Sequence, residues 1–555
     1  MLTELIDVVG LVTIVTGVGL TSRAYKNRPP VKKVLRGNSL TLAEQMTPDE
    51  NRPYLFGSMY LSFDDLRKHT VVVGSSGAGK TVQIILLMKT ICKRMVEKGT
   101  GVKALLYDSK TDLLSQIRGM GVPEEQILIL NALDRRCHAW EICKDIRTQP
   151  EAEDVAKVLI PEIIGSDKDP YFRLTAQGFL SAIIEVLQER TPDDWDIRDL
   201  ILATKSKARL EAFLLAGEDT DDLIEEFEPE RTFKNVFSTL RGNLKQFRSV
   251  AASWHLAREA GRSFGISDWL NSQSMLVLGN DPKAKAPIRI LNQLLFTEVS
   301  KNILAQPGTL NDEKFIILDE FRELGKLDSM GDLMITGRSK GAAIILGFQD
   351  ILGVDAAYGH DESREIIGNA SNLGILHINS TAPDTQEWAS KVLGDHEFMR
   401  KETSISHSNS SSSSMQGGSS GSSISTNTNY RQMMEKVWFP SLFATELPPT
   451  NPENGQRGLF RVNNHFFRSN ILGEHLFFGD GPHGLPKPVD DFPNLVRRER
   501  DEFKLKPWTD EDFERLGIPG LKEACARSPR RKPEGERTIE EPTQEHQDEE
   551  YADLD

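Results

Sequence analysis

The sequence predicts an α/β protein with a parallel-rich central sheet and an inserted all-helical segment. Three observations carry this reading. Apolar runs rich in β-branched residues recur at 70–73, 102–108, 126–131, 275–278, 314–318 and 342–348, several of them ending in a polar or acidic residue. Helical periods separate the runs, and the strand–helix–strand order is the one that builds parallel sheets. Between Glu151 and Trp254 the strands give way to apolar residues at helix-like spacing, as in Val155, Leu159, Ile160 and Ile163, or Phe172, Phe179, Leu180 and Ile183.

The first run carries the strongest motif. Thr70-Val71-Val72-Val73 is followed by Gly74-Ser75-Ser76-Gly77-Ala78-Gly79-Lys80-Thr81 and then by the apolar Ile84-Ile85-Leu86-Leu87-Met88. A strand, a glycine-rich turn and a helix opened by Lys-Thr form a phosphate-binding P-loop in its full context. Gly74, Gly77 and Gly79 let successive backbone N–H groups of the turn, from Gly74 through Ser75, Ser76 and Ala78, converge on one phosphate chain. The helix adds the positive end of its dipole. Lys80 is expected at the β/γ-phosphates of ATP, and the Thr81 hydroxyl on Mg²⁺.

A second motif lies far downstream. Lys314-Phe315-Ile316-Ile317-Leu318 delivers Asp319 and Glu320 to a strand end, the edge at which parallel sheets bind ligands. Asp319 is expected to hold Mg²⁺ and Glu320 to polarise the attacking water, so ATP hydrolysis is expected rather than passive binding. The next strand, 342–348, ends in Gln349, an amide placed to touch the γ-phosphate or merely to cap a loop. Arg338, before that strand, fits either a neighbouring subunit's phosphate or a surface salt bridge.

Read in order, the chain divides into an N-terminal segment 1–36, a first ATPase part 37–150, the all-helical insertion 151–262, a second ATPase part 263–475 and a polar extension 476–555. Val8 to Leu20 is apolar but short of the roughly twenty residues that span a bilayer. Arg23, Lys26, Arg28, Lys32, Lys33 and Arg36 follow it and would stay on the cytoplasmic side of an inner membrane. A short anchor is favoured over a helix packed on a partner or on the body. In the insertion, Arg241, Lys245 and Arg248 fall on one face of an expected helix whose other face is Phe233, Val236, Phe237, Leu240, Leu244 and Phe247. That basic face is a candidate DNA contact or a solvated surface. Ser404 to Asn429, rich in Ser, Gly and Asn, is expected as a mobile loop. Residues 540–555 hold eight acids and no Lys or Arg. Over the 555 residues the net charge of −15 and mean hydropathy of −0.38 fit a protein whose nucleic-acid contacts, if present, are local. Four scattered cysteines show no metal-ligand spacing and are expected as reduced thiols.

Together these motifs resemble the type IV secretion coupling proteins, the TraD/TraG-like ATPases that feed conjugating DNA into a secretion channel. The resemblance runs from about Leu55 to Val462. It includes Leu66-Arg67-Lys68-His69, Asp108-Ser109-Lys110, Leu133-Asp134-Arg135-Arg136 with Trp140, and Ser267-Asp268-Trp269-Leu270. Its most specific stretch is Asp319-Glu320-Phe321-Arg322-Glu323-Leu324-Gly325-Lys326-Leu327, with Gly337-Arg338-Ser339-Lys340-Gly341 and Gln349 downstream.

The resemblance implies a RecA-like motor that assembles as a homo-hexamer around DNA. It further implies Lys80, Thr81, Asp319, Glu320 and Gln349 in the roles above and Arg338 as a candidate trans-acting arginine. Relaxase and relaxosome proteins and the secretion channel are the implied partners, with the acidic tail a candidate docking segment. Two features depart from the family. Its members usually begin with two membrane helices, and Arg322 stands where proline is common. A soluble DNA motor outside conjugation, protein rather than DNA cargo, and a nucleotide-gated adaptor remain as alternative readings.

Overall fold

The structure, a computed structural model, describes residues 47–162, 170–281, 283–308, 312–412, 419–463 and 465–526. The apolar segment 8–20, the basic stretch after it and the acidic tail lie outside these residues. Among the described residues no helix is long and apolar enough to cross a membrane.

The chain forms two compact units. Among the described residues, one comprises those up to Asp145 with Gln246–Leu505, the other those of Ile146–Lys245 with 506–526. This differs from the expected division. The helical unit ends before 262, and the C-terminal stretch divides at Leu505 instead of forming one extension.

The first unit opens with the hairpin β1 (Tyr54–Phe56) and β2 (Met59–Leu61). Its centre is a nine-stranded sheet. Seven strands are parallel: β3 (Thr70–Val73), β4 (Lys103–Asp108), β5 (Ile127–Leu130), β8 (Met275–Gly279), β9 (Lys314–Leu318), β10 (Ala342–Phe348) and β11 (Asn372–Ile375). The short strands β6 (Ala139–Trp140) and β7 (Ser263–Phe264) pair separately. The spatial order is β15-β14-β11-β3-β10-β9-β4-β8-β5, in which β14 (Gln456–Val462) and β15 (His465–Ile471) close one edge in antiparallel fashion. The central strands are buried along their whole length, which is why they read as unbroken apolar runs. β11 and β15 are not evident in the sequence, since Asn-Leu-Gly-Ile and His-Phe-Phe-Arg-Ser-Asn-Ile carry little strand signal.

Within the stretch expected as a loop, residues 404–412 and 419–429 are strands. They belong to a two-stranded antiparallel ribbon, β12 (Asp395–Ser412) with β13 (Ser419–Lys436), in register from Asp395↔Lys436 to Ser412↔Ser419. Scarcity of apolar residues rules out burial, but the backbone N–H and C=O groups of a ribbon satisfy one another whatever the side chains. Ile405 and Ile424 are accordingly exposed.

In the helical unit, Tyr171–Arg190 is the central helix, and Phe179, Phe227 and Phe233 form an aromatic cluster on it. The expected single basic helix is broken. One helix, Glu230–Lys245, ends the helical unit, and another, Arg248–Glu259, belongs to the first unit. Arg241, Lys245 and Arg248 are all exposed, but they do not share one helical face. Apolar spacing persists across Gln246-Phe247, and Phe247 is buried, so the pattern does not reveal the break. The C-terminal segment is bound into the helical unit through fully buried Asp199, which accepts from Trp508 Nε1 at 2.7 Å and from Arg515 Nη2 at 3.0 Å. Arg198 similarly pairs with Asp512 at 2.7 Å.

Asp199→Ala leaves the Arg515 guanidinium and the Trp508 indole without their acceptor. Arg515 retains some solvent access, so a destabilisation of about 2 kcal/mol is expected, below the usual cost of breaking a fully buried pair. The midpoint of urea unfolding followed by tryptophan fluorescence measures it, and an unchanged midpoint would contradict this role.

Buried His69 links three parts of the ATPase unit. Its Nδ1 accepts from the N–H of Ile344 at 3.3 Å, and its Nε2 donates to the Met334 carbonyl at 2.9 Å. Burial, and secondarily the Arg338 charge, pushes its pKa down to about 4 from the ordinary 6.5. The unfolded chain then binds a proton that the folded chain refuses, so stability falls as pH drops from about 6.5 toward 4. The loss from this residue is expected to reach about 3 kcal/mol. His69→Asn, which tolerates the left-handed backbone at φ 63°, should flatten the slope of stability against pH in that window.

Candidate nucleotide-binding site

The P-loop follows β3 and leads into the helix Lys80–Val96. Its outward carbonyls are held by residues that no motif announces. Thr450 N–H donates to the Gly77 carbonyl at 3.1 Å and Thr450 Oγ1 to that of Ala78 at 2.7 Å. Gln456 Nε2 donates to the Gly79 carbonyl at 2.9 Å. On the β11 side, Ser75 Oγ accepts from Asn379 N–H at 2.9 Å.

The turn's N–H groups divide between the protein and the ligand. Those of Gly74, Ser75 and Ala78 donate to the carbonyls of Phe348, His377 and Ser75, at 3.3, 2.9 and 3.0 Å. These three residues therefore shape the loop, and do not all aim at the phosphates as the motif alone suggests. The N–H groups of Gly77, Gly79 and the first helical turn are left for an anion, as a phosphate cradle requires. Gly79 has φ 93°, and a Cβ there would overlap the Thr450 side chain. A glycine is needed both for the turn and for close approach of residue 450. Thr450, Gln456 and Asn379 lie in stretches without a recognisable pattern, and only the fold brings them to the loop.

Strand β10 lies between β3 and β9. That order brings the second motif opposite the first. Thr81 Oγ1 donates to Asp319 Oδ2 at 2.6 Å. Lys80 Nζ lies 3.8 Å from Glu320 Oε2, and Gln349 Nε2 donates to the same oxygen at 2.8 Å. Five of the residues picked from the sequence, Lys80, Thr81, Asp319, Glu320 and Gln349, thus form one connected cluster. Arg338 is not among them. It precedes β10 and is exposed at the strand's N-terminal end, whereas Gln349 follows the C-terminal end. Arg322, absent from the sequence-based site, lies 3.1 Å from Glu320 Oε1 through Nε and 2.9 Å from Asp350 Oδ2 through Nη1.

Asp319 and Glu320 are buried, at 5 % and 7 % exposure. Burial raises the Asp319 pKa above the usual carboxylate range, against the lowering effects of the Thr81 hydroxyl and the Lys80 charge. Burial likewise lowers the Lys80 pKa, opposed by Glu320 and Asp319. Both charges are thus incompletely compensated by the protein. A hard oxygen donor pair, the Thr81 hydroxyl and a desolvated Asp319 carboxylate, suits a divalent cation such as Mg²⁺. Glu320 itself has φ 100°, a backbone conformation rare for any residue with a side chain and a frequent mark of functional positions. At the end of β4, Asp108 accepts from the N–H groups of Asp112 and Leu113, and burial pushes its pKa up to about 6.

Residues 53–438 match the family described as the type IV secretion-system coupling protein DNA-binding domain. The coupling protein TraD of Escherichia coli K12 is 21% identical over 341 residues, covering 60% of this chain and 45% of TraD. Protein VirD4 of Agrobacterium fabrum is 24% identical over 374 residues, covering 64% of this chain and 53% of VirD4. The chain therefore aligns with about half the length of these relatives. Among solved structures, the unbound bacterial conjugative coupling protein TrwBΔN70 superposes with TM-score 0.59 at 19% identity, over 83% of this chain and 94% of that one. The plasmid coupling protein TrwB in complex with ADP and Mg²⁺ gives TM-score 0.57 at 18% identity, with the same coverage.

Gly79→Ala should abolish nucleotide binding while the fold persists. The left-handed backbone costs an alanine about 1–2 kcal/mol, and the new methyl displaces Thr450 from the loop. Titration with a fluorescent ATP analogue reads the affinity, and wild-type binding by the variant would contradict this account of the cradle.

The match over 53–438, together with the α/β RecA-like fold and its all-α domain, identifies the chain as a member of the type IV secretion-system coupling protein family.

Proposed function

We propose that this chain is an ATP-hydrolysing coupling protein that recruits relaxase-bound DNA and pumps it into a type IV secretion channel during conjugation. The observation that carries the catalytic part is the convergence of Lys80, Thr81, Asp319, Glu320 and Gln349 at one edge of the sheet. The free P-loop N–H groups and Lys80 bind the phosphates of ATP. Thr81 and Asp319 hold Mg²⁺, which neutralises phosphate charge when bound. Glu320 accepts the proton of the attacking water, and Gln349 touches the γ-phosphate.

In this reading the chain works as a homo-hexamer at the cytoplasmic face of the inner membrane, where residues 8–20 would contribute an anchor. Arg338 would serve a neighbouring subunit's nucleotide, because its place before β10 puts it at the edge opposite its own P-loop. Arg241, Lys245 and Arg248 are proposed as phosphate contacts to DNA carried by two helices, not one stripe. Relaxosome proteins and channel components are the proposed partners, and the acidic tail is a docking segment for them.

Steady-state ATP hydrolysis with and without single- and double-stranded DNA tests the reading, with Lys80→Ala as the blank. Turnover that DNA stimulates several-fold, and that is lost in both Lys80→Ala and Glu320→Gln, is expected. Glu320→Gln should still bind ATP. Turnover indifferent to DNA would overturn the DNA-motor reading in favour of protein cargo. ATP binding without turnover in the wild type would instead make the chain a nucleotide-gated adaptor.

A further inference from the structure

The position at which the sequence departs from the family's usual proline, Arg322, is built into the candidate site. The two oxygens of Glu320 differ, Oε2 being hydrogen-bonded and Oε1 not. Oε2 accepts from Gln349 Nε2 at 2.8 Å and lies 3.8 Å from Lys80 Nζ. Oε1 lies 3.1 Å from Arg322 Nε. Lys80 and Gln349 are groups that an incoming triphosphate would claim. Arg322 is held independently, since its Nη1 donates to Asp350 Oδ2 at 2.9 Å. Asp350 is itself fixed as the N-cap of the helix Ile351–Tyr358, where its Oδ1 accepts from Gly353 N–H at 2.6 Å. Gly353 supplies the space, because a Cβ at this position would overlap the Arg322 guanidinium.

We infer that Arg322 is a positioning residue for hydrolysis, an inference that rests on Glu320 being the general base. Arg322 Nε lies 3.1 Å from Oε1 as an ion pair without a hydrogen bond, so the carboxylate keeps a charged partner in place once Lys80 and Gln349 turn to the phosphates. The Glu320 carboxylate is then the proton acceptor. The water oxygen bonds to the γ-phosphorus, its proton passes to the Glu320 carboxylate, and the bond from γ-phosphorus to the β–γ bridging oxygen breaks, giving ADP and phosphate. Arg322 enters none of these bonds. A guanidinium donates hydrogen bonds and accepts none, so it can orient the carboxylate without taking the proton. Its planar fork bridges Glu320 and Asp350 together, which the single point charge of lysine does less well.

The test is a double-mutant cycle on the full chain, in which kcat and KM for ATP are measured for wild type, Arg322→Ala, Arg322→Lys, Glu320→Gln and Arg322→Ala/Glu320→Gln. Loss of a positioning contact of this kind costs on the order of 30-fold in kcat. Arg322→Ala is expected to show that loss with KM and ATP-analogue affinity unchanged, and Arg322→Lys to recover part of it. On the residual single-turnover rate of Glu320→Gln, Arg322→Ala should have no further effect, because the group it positions is gone. Asp350→Asn, which loosens the far end of the guanidinium, should reproduce part of the loss. If the two losses multiply, or if Arg322→Ala turns over normally while Glu320→Gln does not, the inference is overturned and the base assignment stands. Normal turnover in Glu320→Gln would overturn both, through the base assignment first.

Discussion

The candidate site depends on one topological constraint, the insertion of β10 between the P-loop strand and the carboxylate strand. Neighbouring strands lie about 4.8 Å apart, so β3 and β9 are separated by about 10 Å. Across that gap the side chains of the two motifs just meet, Thr81 with Asp319 at 2.6 Å and Lys80 with Glu320 at 3.8 Å, and these are the contacts that a phosphate chain with its cation would take over. β10 also supplies what the gap needs, as Gly347 leaves space beside Asp319 and Gln349 extends to Glu320. The register of Ile345↔Thr70 through Phe348↔Val73 brings both strands to their ends together.

The same arrangement concentrates buried charge. Lys80, Asp319 and Glu320 all lie below one-tenth exposure, where water compensates them poorly. They are stabilised there by each other, by the Thr81 hydroxyl, by Gln349 and by Arg322. Such a set is balanced but not saturated, since burial still opposes ionisation of both Lys80 and Asp319. Bound phosphate and Mg²⁺ would add charge of both signs to the two groups that lack it. The ligand then completes an electrostatic network that the fold has already arranged, which is the usual advantage of preorganised sites.

How much of this is legible in the sequence follows from what each element rests on. β3, β9 and β10 are readable because strands buried on both faces must be apolar throughout, and the P-loop because its glycines answer to backbone geometry. β11 is not, since its neighbours supply its hydrogen bonds and its own residues carry little strand propensity. The Ser-rich ribbon looks like a loop because composition reports on burial, while a ribbon is held by its backbone. The sequence pattern of the helix runs on through Arg248 because apolar periodicity survives a break that keeps Phe247 buried. Thr450, Gln456 and Arg322 escape notice because their roles are contacts across long sequence separations, or a local departure from a family pattern, and neither has a periodic signature.

β10 also bears on how one site could be coupled to another. Gln349 follows its C-terminal end, and Arg338 precedes its N-terminal end. A strand of 7 residues, at about 3.3 Å each, puts these groups roughly 20 Å apart along a fully buried element. Such a strand does not bend to bring both to one nucleotide. In the assembly proposed above, the strand that would reach one nucleotide through Gln349 would also carry the arginine proposed for a neighbouring subunit's phosphate. His69 ties this region to the start of β3 through Ile344 and Met334, so a displacement at the arginine end would be felt by the P-loop strand. β10 and His69 thus join the end that bears Arg338 to the P-loop strand through direct hydrogen bonds.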